Sequence, residues 1–104
     1  MGNTRIPSLF TDYVIEQGEN ANGSYRKWES GTMEQWGAEE SASASNHAVP
    51  LPAAFAVNTP YLVVGTNTSG VQSNFMTSNS TPSSFMVYVT ASTRLFWIAI
   101  GKWK

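Results

Sequence analysis

The side chains that could carry out chemistry are few in this chain. His47 is the only imidazole and Asp12 the only aspartate. A serine–histidine–aspartate triad would have to use this pair, and nothing in the sequence gathers them around one serine. His47 reads as an exposed loop residue. The one metal arrangement open to it is three copies converging on a threefold axis, and no second ligand accompanies it. Glu39 and Glu40 are adjacent, so their side chains diverge, while Glu16, Glu19, Glu29 and Glu34 fall in turns and polar stretches and read as solvated surface charge rather than as a glycosidase pair. No phosphate-cradling glycine loop, metalloprotease helix or EF-hand pattern occurs. The expectation is no catalysis, no cofactor and no metal.

Aromatic side chains offer a different chemistry. An indole face suits the apolar face of a pyranose, but Trp28, Trp36, Trp97 and Trp103 sit in a small domain, where tryptophans on strands usually fill the core. Trp36 and Trp97 are expected there. Tyr25, Phe75 and Tyr88 are more open. Phe75, with Met76, lies in a stretch otherwise built of Asn, Ser and Thr, where a lone aromatic anchors either the loop or a ligand.

Composition narrows the partners. With 104 residues the chain is one domain, and 12% charged residues is about half the usual share. Ser, Thr and Asn make up about three residues in ten and replace the missing charge. A formal net charge of -1, from 6 basic and 7 acidic side chains, argues against nucleic acid and anionic membrane surfaces as partners. No window approaches about 18 uninterrupted apolar residues, so no membrane-inserting helix is expected. The absence of cysteine leaves core packing or subunit association to supply stability. Because 41% of the residues are hydrophobic and 12% aromatic, the chain has enough apolar area to fold.

The elements that must position these groups read as strands. Residues 1–21 hold one short apolar run and read as a lead-in segment. Beyond them, short aromatic and β-branched runs alternate with Gly, Pro, Asn and Ser clusters, the punctuation of an all-β domain over 22–104. The sharpest local signal is residues 24–28 and 32–36 around Glu29-Ser30-Gly31, a three-residue hairpin loop with glycine at its last position. That register sets Arg26 opposite Glu34 and Ser24 opposite Trp36. Trp28 and Trp36 then share one face, and Tyr25, Lys27, Met33 and Gln35 the other. Large side chains on both faces imply that the hairpin touches a second sheet or a neighbouring subunit. Residues 38–48 read as a loop, 66–84 as a long polar stretch holding a short strand or functional loop, and 85–89 and 95–100 as strands covered on both faces.

The hairpin and four later segments together carry a resemblance. Asn22-Gly23-Ser24-Tyr25 and Gly31-Thr32-Met33-Glu34-Gln35-Trp36-Gly37 resemble the opening hairpin of the C-terminal domain of bacteriophage tail-fibre proteins. Val49-Pro50-Leu51-Pro52-Ala53-Ala54-Phe55, Pro60-Tyr61-Leu62-Val63-Val64, Phe85-Met86-Val87 and Phe96-Trp97-Ile98-Ala99-Ile100-Gly101 are similar to its later landmarks, in order. The match spans about residues 22–101, and the tail Lys102-Trp103-Lys104 runs beyond the usual closing glycine. The resemblance implies a compact antiparallel β-sandwich at a fibre tip. It also implies a homotrimer, a bacterial surface polysaccharide or outer-membrane receptor as partner, and a place on the virion tail after synthesis in the bacterial cytoplasm. A domain that only trimerises and caps the fibre is the alternative it leaves open. It carries over no binding residue. From their side-chain chemistry, Asn67, Asn74, Phe75, Asn79 and Tyr88 are the receptor-contact candidates, since neutral amides and hydroxyls bond sugar hydroxyls without the desolvation penalty of charges.

Overall fold

The computed structural model describes residues 12–42 and 45–104, with the side chains of 40, 41, 45 and 77–79 outside that description. The chain forms eight strands: β1 (Val14–Asn20), β2 (Gly23–Trp28), β3 (Thr32–Ala42), β4 (Ser45–Pro50), β5 (Leu62–Asn67), β6 (Ser73–Thr81), β7 (Ser84–Val89) and β8 (Thr93–Lys102). They make two antiparallel sheets, one ordered β1-β2-β3-β8-β5 and the other β4-β7-β6. The expected β-sandwich is the fold observed.

The β2–β3 hairpin has the expected register, with Arg26 opposite Glu34 and Ser24 opposite Trp36. Gly31 closes its turn with a φ of 109°, a value that side chains bearing a Cβ rarely adopt. The Gly31 N–H donates to the Trp28 carbonyl at 3.0 Å. The last residues lock this turn from below: the Trp103 N–H donates to Gly31 O at 2.9 Å, and its indole N–H to Trp28 O at 2.7 Å. The tail beyond the closing glycine therefore fixes the hairpin.

Inward side chains of the two sheets interdigitate. Met33, Leu95, Trp97 and Ala99 come from the larger sheet, and Val49, Phe85, Val87 and Val89 from the smaller; all are buried. Trp97 meets Phe85 edge to face at 5.3 Å. Phe55, from the segment between β4 and β5, stacks on Tyr61 at 4.4 Å over Gly101, where an added Cβ would come within 2.6 Å of Tyr61 Cβ.

Four sequence expectations change. Residues 14–20, read as lead-in, form an edge strand on β2. Residues 38–48, read as a loop, are mostly strand, because β3 keeps pairing with β8 as far as Ala42↔Thr93 and β4 pairs with β7. Trp36, expected in the core, lies half-buried on the outward side of β3 opposite Ile98, whereas the strand expected as one option within 66–84 is present as the nine-residue β6. His47 is a half-buried strand residue, its Nε2 2.7 Å from the Glu39 carboxylate.

β1 is held largely by polar contacts. Tyr25 Oη donates to Glu16 at 2.6 Å, Lys27 Nζ lies 3.5 Å from the same carboxylate, and Asp12 accepts from the Ser30 N–H at 3.0 Å and from its hydroxyl. The Tyr25 hydroxyl, then Lys27, hold Glu16 below its ordinary 4.5, and the Ser30 hydroxyl holds Asp12 below 3.8. A carboxyl with a lowered folded pKa adds stability above its ordinary value and loses it as pH falls through the lowered one. Below pH 3.8, therefore, the amides of β1 are expected to lose protection from hydrogen exchange before those of β8. Simultaneous loss in both strands would show that these contacts do not hold β1.

Candidate functional site

The two outward sheet faces differ in chemistry. On the larger sheet, β8 alternates strictly between buried and exposed positions, yet its outward residues Phe96, Ile98 and Ile100 are also apolar. Register places Ile100 beside Leu62 and Ile98 beside Val64 of β5. Leu62 is 70% exposed, Val64 61%, Phe96 41%, Ile98 37% and Ile100 41%. These five side chains form one contiguous apolar face. On its β3 side it meets Trp36, opposite Ile98, over which the Arg26 guanidinium lies at 5.3 Å. Arg26 is 3.8 Å from Glu34, which also accepts the Trp28 indole N–H at 2.7 Å. The polar border of the apolar face is thus internally paired.

At the end of β5 nearest Leu62 the apolar face runs into an open recess of about 630 Å³ lined by Val57, Pro60, Tyr61, Leu62, Pro82 and Ile100. Tyr61 fixes one wall, its hydroxyl shared between the Thr81 and Ser84 carbonyls at 2.8 Å each. Burial raises its phenol above the ordinary 10.0.

The five receptor-contact candidates are scattered. Asn67 lies at the opposite end, and its amide is used within its own loop. Nδ2 donates to Val71 O at 2.6 Å and Ser73 Oγ at 3.1 Å, and Oδ1 accepts the N–H groups of Ser69 and Gly70. All four hydrogen-bonding positions of the amide are thereby filled. Phe75 turns inward, 6.1 Å from Phe85 and beneath Gly65, where a Cβ would come within 2.4 Å of the Phe75 ring. Its ring packs the sandwich. Asn79 belongs to β6, with its side chain outside the described residues. Asn74 and Tyr88 are brought together: they pair across β6 and β7, and both are exposed on the outer face of the smaller sheet. His47 and Glu39 face each other, and among the described residues no cluster of three or more His, Asp or Glu forms.

Sequence reasoning missed Asn46, which lies in the stretch read as a loop and pairs with Tyr88 from the β4 side. It also read residues 95–100 as covered on both faces, whereas within one chain their outer side is open. The signal was present in the unbroken apolar run, since a strand with one solvated face would alternate with polar residues.

No curated protein sequence matches the chain. Among solved structures, a C-terminal fragment of the Pseudomonas aeruginosa R2 pyocin fibre superposes with a TM-score of 0.65 at 18% identity, covering 85% of this chain and 26% of that one. An N-truncated R2-type pyocin tail fibre superposes with a TM-score of 0.67 at 14% identity, covering 96% of this chain and 41% of that one. Identities this low establish a shared fold. The chain spans less than half the length of either fibre fragment. The family of gp53-like tail fiber proteins, in its C-terminal domain, matches residues 27–102, from the end of β2 through β8, and the chain belongs to that family.

Proposed function

We propose that this chain is the receptor-binding tip of a phage or phage-like tail fibre, acting as a homotrimer that adheres to a bacterial surface polysaccharide or outer-membrane receptor. In this reading it works on the virion, after synthesis in the bacterial cytoplasm, and by binding rather than catalysis. The observation that carries the reading is the contrast between one apolar face, built on β5 and β8, and the smaller sheet on the other side, whose strands contain no Asp, Glu, Lys or Arg. Monomeric soluble proteins rarely expose large contiguous apolar patches. A head-to-tail contact that uses this face closes into a ring of three when its rotation is threefold. Weak single sites on the remaining surface then gain avidity from threefold repetition.

The apolar face also favours a second reading, in which the domain only nucleates the trimer and caps the fibre. Two measurements test the proposal together. Light scattering coupled to size exclusion is expected to give three times the chain mass, and a printed array of bacterial surface polysaccharides is expected to retain the purified protein. A trimer that binds nothing on the array and does not adsorb to bacterial cells would favour the capping role. A stable monomer would overturn both readings.

A further inference from the structure

The outer face of the smaller sheet carries a row of three side chains that the hairpin registers align. Asn46 of β4 pairs with Tyr88 of β7, and Tyr88 pairs in turn with Asn74 of β6. Directly opposed residues of antiparallel strands project to the same side, and all three are exposed, Tyr88 at 39%. With strands about 4.8 Å apart, the two amides stand roughly 10 Å from each other with the phenol ring between them. Among the described residues no hydrogen bond engages the Asn46 or Asn74 amide or the Tyr88 hydroxyl. In this they differ from Asn20, Asn22 and Asn67, whose amides hold loops in place. The adjoining row, Ala48, Met86 and Met76, extends the platform with apolar, uncharged groups.

Charge is what distinguishes this face. The sequences of β4, β6 and β7 contain no Asp, Glu, Lys or Arg, and their one histidine, His47, is held at the Glu39 carboxylate of the other sheet. An aromatic ring between two unengaged primary amides, on a face without ions, suits a ligand that presents an apolar patch ringed by neutral hydroxyls. Amides both donate and accept, as sugar hydroxyls do. A carboxylated or phosphorylated ligand would find no cation to offset its desolvation.

We infer that the Asn46–Tyr88–Asn74 row is a binding site for a neutral hexopyranose, stacked on the Tyr88 ring and clasped by the two amides. This rests on the adhesion reading above and gives it a place: the face of the sandwich remote from the apolar one, free when the latter is covered by other subunits.

The test uses the whole chain, with methyl glycosides of glucose, galactose, mannose and N-acetylglucosamine as soluble probes, sodium glucuronate as the charged comparison, and the printed polysaccharide array. At least one neutral glycoside is expected to shift the Asn46 and Asn74 side-chain NH2 signals and the Tyr88 ring signals in NMR spectra, and glucuronate is not. Array binding is expected to fall about tenfold or more in Tyr88→Ala and by roughly fivefold in Asn46→Ala or Asn74→Ala. Tyr88→Phe should retain most of it, because the stacking face remains. Binding should change little between about 50 and 500 mM salt, since no ion pair is involved. The asparagine variants keep the test open should Tyr88→Ala misfold. Array binding that survives all three alanine substitutions would overturn this site while leaving adhesion intact, and shifts confined to other surfaces would do the same. No binding to any glycoside or array spot would overturn the site, and only if the protein also failed to adsorb to bacterial cells would the adhesion reading fall with it.

Discussion

Replacing Ile98 with glutamate is expected to turn a trimeric assembly into folded monomers. Ile98 lies at the middle of the apolar face, opposite Trp36 on one side and Val64 on the other, with Phe96 and Ile100 two residues away along the same strand. In an isolated chain it is 37% exposed and points away from the core, so a glutamate can extend its carboxylate into water. The cost to the monomer fold is expected to be within about 1 kcal/mol. In an assembly that covers this face, the same carboxylate is buried without a partner. Each such burial costs about 3–5 kcal/mol, and a trimer carries the substitution three times, so the association weakens by on the order of 10 kcal/mol. Light scattering should therefore report the chain mass, with the far-ultraviolet spectrum of a β-protein retained. Thr66→Glu serves as the comparison, since it sits beside Phe96 at the margin of the apolar face, and it should weaken the trimer less. A variant Ile98→Glu that remains trimeric would show that the subunits meet elsewhere.

How much of this could be read from the sequence depended on whether the determining contacts were local. The β2–β3 hairpin was legible because a glycine at the turn and cross-strand pairs a few residues apart determine it; Arg26 and Glu34 are found opposite each other as expected. β7 and β8 were legible because β-branched and aromatic residues fill both. The end of β3, the start of β4, and β6 were not. Their Ala, Glu, Ser, Thr and Asn residues have weak strand preference, and they are extended because β8 and β7 supply hydrogen-bonding edges. Tertiary pairing overrode local composition, as it often does in strands. The same distance in sequence hid the candidate site. Tyr88 and Asn74 drew notice separately, but only the register of three strands shows that they share a row, and Asn46 was hidden in a stretch with no strand signal at all. His47 was misjudged for the related reason that its partner, Glu39, lies on the other sheet. Phe75 was undecided between loop anchor and ligand anchor, and its inward packing under Gly65 depends on β5, whose approach no local pattern reveals.

Substitution of Gln35 is expected to produce the largest loss of stability among polar positions. Gln35 is fully buried on the inner side of β3, where its amide acts as a strand neighbour would. Nε2 donates to the Ala53 carbonyl and Oε1 accepts the Ala53 N–H, each at 2.9 Å. No strand of either sheet pairs with this peptide, which lies in the segment that crosses from β4 to β5. Other contacts hold the same segment: Leu51 N–H to Ser83 O at 2.9 Å, Phe55 N–H to Pro82 O at 2.8 Å and Ala56 N–H to Lys102 O at 2.8 Å. Gln35→Leu keeps most of the volume but leaves one donor and one acceptor unpaired in a part-buried place, at about 1–3 kcal/mol each. A total near 3 kcal/mol lowers the melting temperature by about 12–24 °C in a domain of this size. Gln35→Ala adds a cavity and should cost more, whereas Asn20→Ala, which removes two exposed bonds, one to the Pro52 carbonyl and one from the Asn22 N–H, at 2.9 Å each, should cost only about 1–2 kcal/mol. Comparison at one protein concentration is required, because association couples to unfolding. The consequence reaches the surface: the segment presses Phe55 against Tyr61 and Gly101, where β5 begins. Loosening it should raise hydrogen exchange at Leu62 to Val64 ahead of β2 and so erode one edge of the apolar face. A Gln35→Leu protein melting within about 3 °C of the parent would show instead that Leu51 and Phe55 hold the segment by apolar packing alone.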